Sequence, residues 1–319
     1  MTTKIKPVEI NHYNKGSLGQ RISRDFSLNK YKYLLILPVL VYLFLFCYKP
    51  MYGLVIAFKN YKPTRGIAGS KWVGFLWFET FFKDPYFFRL IRNTFLLSLL
   101  NIVFGFPAPI LLALLLNELR DGSFKKTVQT VSYLPHFLSW VVLGGIFTRF
   151  LSPSTGFVNM IIKNLGGEPI FFLGNPNTYV PTIIVTDIWQ GIGWGSIVYL
   201  AAISGISPEL YESAMLDGAS RWQKMWYITV PSIMPTIMVL FIMRMGGVLN
   251  GGFDQIFNTY NDAVMKVADI LDTYVYRRGL TSMQYEFSAA AGLFKTGVGF
   301  IFVFGTNMLA RKLGESSLW

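Results

Sequence analysis

Apolar residues in this chain come in long, nearly unbroken stretches, without the period-two alternation of a strand or the narrow stripe of a soluble amphipathic helix. Crossing roughly 30 Å of hydrocarbon takes about 20 apolar residues as a helix, because in lipid every backbone polar group must be bonded internally. By that measure the sequence predicts an all-α membrane protein of about six transmembrane helices, at approximately 33–57, 94–117, 128–150, 180–204, 229–249 and 287–310. Pro38 and Pro50 lie near the ends of the first. Pro107 and Pro109, two apart in the second, cannot keep regular helix bonding and predict a kink there. His136, beside Pro135, reads most simply as a neutral, hydrogen-bonded helix residue.

Composition supports lipid as the solvent. Of the 319 residues, 52% are hydrophobic and only 14% charged, against about a quarter charged in soluble domains, so there is too little polar surface for water on all sides. The net charge of +12 is concentrated in the N-terminal segment (Lys4, Lys6, Lys15, Arg21, Arg24, Lys30, Lys32) and in short connections. That placement fits membrane orientation and excludes a nucleic-acid partner. It puts both termini in the cytoplasm, with residues 1–32 as a cytoplasmic tail and 33–319 as the membrane domain. The cytoplasmic side then also holds Arg120, Lys125 and Lys126, the 205–228 loop with Arg221 and Lys224, and the tail with Arg311 and Lys312. The connections on the other side are long and rich in aromatic and turn residues, at 72–77 and 171–176, which suits a structured docking surface or an interfacial aromatic belt. The apolar run after the basic segment has no small-residue cleavage pattern and is expected to be retained. Cys47 is the only cysteine and His12 and His136 the only histidines, so neither an internal disulfide nor a metal site is expected. No catalytic constellation of Ser, His and Asp is apparent.

The loop between the fourth and fifth spans, 207–231, reads as a short helix, a turn and a second helix. Ser207 suits an N-cap and Pro208 the first helical position. Leu210 and Ala214, four apart, share a face, Gly218 can adopt the positive φ that ends a helix, and Ser220 with Gln223 has capping-box spacing. A compact hairpin tied to two spans can dock in a partner's cleft and carry its motion, or it can lie flat on the membrane surface.

The same loop resembles the signature of permease subunits of type I binding-protein-dependent ABC importers: Glu-Ala-Ala, three residues, Gly, nine residues, then an aliphatic residue near a Pro. Glu212, Ala214, Asp217, Gly218, Ala219, Ile228 and Pro231 hold the corresponding places, and Ser213 stands where the pattern has its middle Ala. The segments 253–257, 268–276 and 291–294 and the Ser-Leu-Trp ending look similar to the sugar-permease branch that handles oligosaccharides from plant or algal polysaccharides. The resemblance implies a type I permease fold with its core at about 90–311 and a coupling loop at 205–228, in which Glu212, Ala214, Asp217, Gly218 and Ala219 meet the ATPase. It also implies a bacterial cell membrane, a second, different but homologous permease subunit, two ATPase subunits and an extracellular sugar-binding protein. ATP and Mg would be used by the ATPase partners, with no cofactor in this chain; the sequence has no Gly-x-x-x-x-Gly-Lys-Ser/Thr phosphate loop.

Polar residues inside spans are expensive and mark a substrate path or a structural pair. The candidates are Asp187, Trp189, Gln190, Arg244, Asn250 and Lys295. Aromatic faces and polar side chains suit a sugar. Alternatively, Asp187 pairs with Arg244 or Lys295, and Gly191, Gly193 and Gly195 let helices pack closely. Were Arg244 and Lys295 both unpaired in a cavity, they would complement a uronate. A different function class, an ion-coupled secondary sugar carrier working through Asp187, Glu286 or Lys295, predicts paired internal repeats, and none is visible.

Overall fold

The computed structural model describes residues 17–314 and 316–319; the basic positions Lys4, Lys6 and Lys15 and residue His12 lie outside that range. Among the described residues, five helices are long and apolar enough to cross a bilayer: Asp25–Phe58, Phe87–Glu118, Pro176–Ser204, Arg221–Gly246 and Tyr285–Lys312. A bent pair, Ser123–Phe137 and Trp140–Phe150, brings the number to six when its two halves are counted as one broken span. The chain divides into two units, 1–55 and 56–319.

In the first unit the helix Leu18–Leu43 begins well before the predicted span. Part of the segment expected as a polar tail is therefore helical. Asn29 donates to Asp25 Oδ1 at 2.7 Å and Tyr33 OH to Asp25 Oδ2, so one carboxylate ties two turns together. Further along, Leu34 and Leu35 are exposed, as suits side chains that meet lipid.

Prolines shape the spans in a recurring way. The helical ladder widens to π turns at Phe44–Tyr48, Asn101–Gly105 and Met225–Thr229, which precede Pro50, Pro107 and Pro231. In each, the residue just before the proline donates its N–H five residues back: Lys49 to Phe44, Phe106 to Asn101 and Val230 to Met225. Proline lacks an N–H and its ring collides with the carbonyl four residues earlier, and a widened turn makes room for it. The kink expected at Pro107 and Pro109 is thus absorbed as a π turn within the single helix Phe87–Glu118.

The third span is the largest departure from expectation. Its two halves meet at 104°. Leu138 and Ser139 are extended, with ψ of 130° and 151°, and Ser139 caps the second half by accepting from the Val142 N–H at 3.4 Å. Pro135 opens the short 3₁₀ turn Leu134–Phe137 that ends the first half. His136 therefore sits at the break, its ring stacked on Trp194 at 4.7 Å. Nearby, the backbone of the fourth span approaches closely: a Cβ on Gly193 would lie 2.0 Å from the Ser132 carbonyl oxygen, and one on Gly195 would lie 2.9 Å from Pro109 Cγ. Gly191 has open space instead.

At the end of the bundle away from the 207–231 hairpin, the connection between the fifth and sixth spans is folded into the core. Ile256, Val264, Ala268 and Ile270 are buried with Leu97, Tyr179 and Ile183, and Leu271 packs with Phe81, Leu90 and Phe287. Its polar anchor is Asp269, 1% exposed. Arg277 grips both carboxylate oxygens at 2.9 and 2.8 Å, and Thr273 Oγ1 donates at 2.8 Å. Asn93, buried in the second span, donates to the Asp269 and Lys266 carbonyls at 3.0 Å. A second knot joins Asp84 to Arg278 Nη1 and Tyr274 OH, both at 2.6 Å. Burial, with the Asp84 hydrogen bond, pushes the Tyr274 phenol up to about 12, so it stays a donor at neutral pH. Removing a carboxylate from such a site strands its guanidinium. Asp269→Ala is expected to lower the stability of the detergent-solubilised protein by about 2–3 kcal/mol, read as a fall in the thermal unfolding midpoint; an unchanged midpoint would show that the anchor is dispensable.

Candidate functional site

Two regions concentrate chemistry in unit 56–319: the hairpin between the fourth and fifth spans, and the middle of the bundle.

The hairpin is stiff for reasons visible in its backbone. Its first helix, Pro208–Leu216, has Pro208 at its first turn, but Ser207 makes no side-chain cap. The expected Ser207 hydroxyl bond is absent. The helix closes with paired bonds, Ala219 N–H to Ala214 at 2.9 Å and Gly218 N–H to Met215 at 3.1 Å, around Gly218 at φ +78°. This is the Schellman closure that needs a residue without Cβ strain. One residue later, the Ser220 N–H donates to Gln223 Oε1 at 2.8 Å and the Gln223 N–H donates back to Ser220 Oγ at 3.4 Å, the expected capping box. The chain then enters the fifth span through the π turn ahead of Pro231. Two attachments fix the hairpin to the bundle: Tyr211 OH meets Thr229 Oγ1 at 2.8 Å, and buried Met225 packs with Ala113, Tyr199, Ile203 and Ile233.

What faces outward is equally defined. Glu212, Asp217 and Gly218 are exposed, whereas Ala214 and Ala219 are half-buried against the hairpin's own fold. The tip is apolar: Leu216 is 92% exposed, and Met215 and Leu210 about half. A leucine at a helix end beside a tight turn, left almost wholly in solvent, is the feature of this loop that its spacing pattern does not announce.

In the middle of the bundle two cavities share part of their lining. One, of about 390 Å³, is bordered by Ser98, Asn101, Asp187, Arg244 and Asn250. The other, of about 510 Å³ and nearer the hairpin, is bordered by Asn101, Asp187, Gln190, Trp194 and Arg244. Asn101, Asp187, Met243 and Arg244 belong to both, and the three polar ones form one cluster. They are joined: Asn101 Nδ2 donates to Asp187 Oδ2, and Arg244 Nη2 donates to Asn101 Oδ1. Asp187 and Arg244 are thus linked through an amide.

Of the sequence candidates, Asp187, Gln190, Arg244 and Asn250 line these cavities. Gln190 Nε2 also donates to the His136 carbonyl at 3.5 Å. Trp189 does not line them; its ring stands edge-on to Phe147 at 5.6 Å. Trp194, stacked on His136, takes the aromatic place beside the cavity. Lys295 borders a separate cavity of about 300 Å³ and is bound to both Asp272 oxygens at 2.8 and 2.7 Å, so it is not the unpaired cation that a uronate would seek. Asn101 is the cavity-lining residue that the sequence candidates did not include; its signal was a lone amide in an apolar run six residues before Pro107.

Architecture, hairpin and central polar cavities together define a transport subunit. The chain belongs to the family described as the binding-protein-dependent transport system inner membrane component, whose sequence profile matches residues 105–314. It is a multi-pass permease subunit with the type I ABC importer fold. Among its relatives are Protein LplB of Bacillus subtilis (strain 168), 47% identical over 91% of this chain and 92% of that protein, and the polygalacturonan/rhamnogalacturonan transport system permease protein YteP of the same organism, 47% identical over 91% of this chain and 90% of that one. A chain from the crystal structure of a bacterial ABC transporter involved in import of the acidic polysaccharide alginate superimposes with a TM-score of 0.85 at 43% identity, covering 92% of this chain and 100% of that one.

The Lys295 pair gives a direct test of a structural role. Lys295→Met should cost about 1–2 kcal/mol by leaving the Asp272 carboxylate unmatched, and adding Asp272→Asn should restore most of it; equal unfolding midpoints for the single and double variants would contradict the pair.

Proposed function

We propose that this subunit forms half of a membrane passage that carries acidic oligosaccharides into the cytoplasm, driven by ATP hydrolysis in separate subunits. In this reading the passage is completed by a second, homologous permease, and each of two ATPase subunits receives one coupling hairpin. An extracellular sugar-binding protein delivers the cargo at the opposite end, and both termini lie in the cytoplasm of a bacterial cell. The chain itself binds no ATP, Mg or other cofactor and performs no catalysis.

The observation that carries the reading is the hairpin: a turn locked by Schellman closure and capping box, tied to the fifth span by Tyr211–Thr229, and presenting Leu216 bare. A rigid, apolar, solvent-facing knob is matched by an apolar cleft in a partner, and being joined stiffly to a span it passes that partner's motion into the bundle. Glu212 and Asp217, exposed beside the tip, supply acidic contacts for basic groups at the cleft rim.

Two relatives support acidic cargo: YteP, named for polygalacturonan and rhamnogalacturonan, and the alginate importer. A solved complex of the bacterial alginate ABC transporter holds alginate pentasaccharide-bound periplasmic protein, at 42% identity and a TM-score of 0.85 to this chain, over 94% of this chain and 99% of that one. In this protein the complementary charge is Arg244, exposed in the central cavities and bound there only to a neutral amide. Lys295 drops out of that role.

Gly218→Val places a β-branched residue at φ +78° and should deform the turn; Leu216→Asp puts a charge on the tip. In the reconstituted importer, Leu216→Asp should weaken capture of the ATPase subunits on the order of a hundredfold. Gly218→Val should retain ATP hydrolysis while uptake of labelled uronic-acid oligosaccharide falls severalfold. Wild-type uptake and wild-type ATPase stimulation in both variants would remove the coupling role.

A further inference from the structure

Asp187 and Arg244 carry opposite charges in one passage, yet among the described residues they form no direct ion pair. Asn101 stands between them, its oxygen toward the guanidinium and its N–H toward the carboxylate. With Met243, these three side chains border both central cavities and so stand at the partition where one cavity meets the other. A direct Asp187–Arg244 pair would hold both ions permanently, because charge–charge bonds, often bidentate, are the stronger class. A neutral amide satisfies each ion with a weaker, single bond, which a better partner can replace.

We infer that Asn101 is a latch across the passage, and that the carboxylate of a passing acidic sugar releases it by taking its place on Arg244. The inference rests on the proposed cargo class and names the residues that select it. A carboxylate offers Arg244 two charged acceptors in place of one amide oxygen, whereas a neutral sugar offers hydroxyls, no better than the amide. Acidic cargo therefore opens the partition and neutral cargo does not. Asp187 keeps the Asn101 N–H or accepts from sugar hydroxyls.

The surrounding backbone is built to the latch. Asn101 begins the π turn whose carbonyl receives the Phe106 N–H at 2.9 Å, and Gly105 clears space for its side chain: a Cβ at 105 would lie 2.9 Å from Asn101 Oδ1 and 3.2 Å from Cγ. Gly105 is thus a positioning residue for the latch, with no polar group of its own to lose.

The test uses the whole importer, with partner permease, ATPase subunits and binding protein, in proteoliposomes given a uronic-acid tetrasaccharide or its neutral counterpart of the same linkage. Asn101→Asp should lock Arg244 in a charge pair and cut acidic uptake about tenfold. Asn101→Ala and Gly105→Ala should each bring the acidic-to-neutral uptake ratio down about tenfold toward unity, by letting neutral sugar through. A strong wild-type preference that all three variants keep would overturn the latch alone; should the Asn101 variants fail to assemble, an unchanged ratio in Gly105→Ala overturns it as well. Equal wild-type uptake of the two sugars would remove the acidic-cargo assignment itself.

Discussion

In hydrocarbon a polar group without a partner costs several kcal/mol, and nearly every distinctive feature of this bundle answers to that cost. Ahead of Pro50, Pro107 and Pro231 the ladder is re-registered into a π turn. Where the third span breaks, Ser139 supplies the missing acceptor. Where a carboxylate is buried at Asp269, guanidinium and hydroxyl groups converge on it. Where charge must remain in the passage, Asn101 holds Asp187 and Arg244 in a bond that can be exchanged.

The same constraint separates the rigid from the movable parts. The connection between the fifth and sixth spans is held by bidentate charge pairs and packed apolar side chains, which makes that end a single block. The hairpin at the other end is stiff within itself and attached by one hydroxyl pair and a buried methionine. Between them the central partition is held by single bonds to a neutral amide. A displacement imposed on the hairpin travels along the fifth span, whose far end carries Arg244, so the Asn101 contact lies on the line of force.

Much of this was legible in the sequence. Five apolar runs became continuous spans because hydrophobic length alone decides whether a helix can cross. Gly218, Ser220 and Gln223 behaved as their local chemistry requires, since caps and turns depend on neighbours within a few residues. Other features depend on contacts between distant segments. Hydropathy could not distinguish a straight third span from two halves at 104°, and the Ser207 hydroxyl was left without its cap bond although its residue type and place were right. The tryptophan that lines the central cavities is Trp194 and not Trp189, a question of helix rotation. Lys295 was matched by Asp272, and Asn101 by two ions from two other spans, pairings that no local pattern contains.

The central claim is that the hairpin tip lies in the cytoplasm, seated in an ATPase subunit. The direct measurement places a cysteine at position 216, after replacing native Cys47, and applies a membrane-impermeant thiol reagent and a short bifunctional crosslinker to intact cells and to inside-out vesicles. A docked cytoplasmic tip gives no labelling in intact cells, labelling in inside-out vesicles stripped of the ATPase, and crosslinking to the ATPase subunit when it is present. Labelling from outside intact cells, or full labelling of the assembled complex with no crosslink, would contradict it.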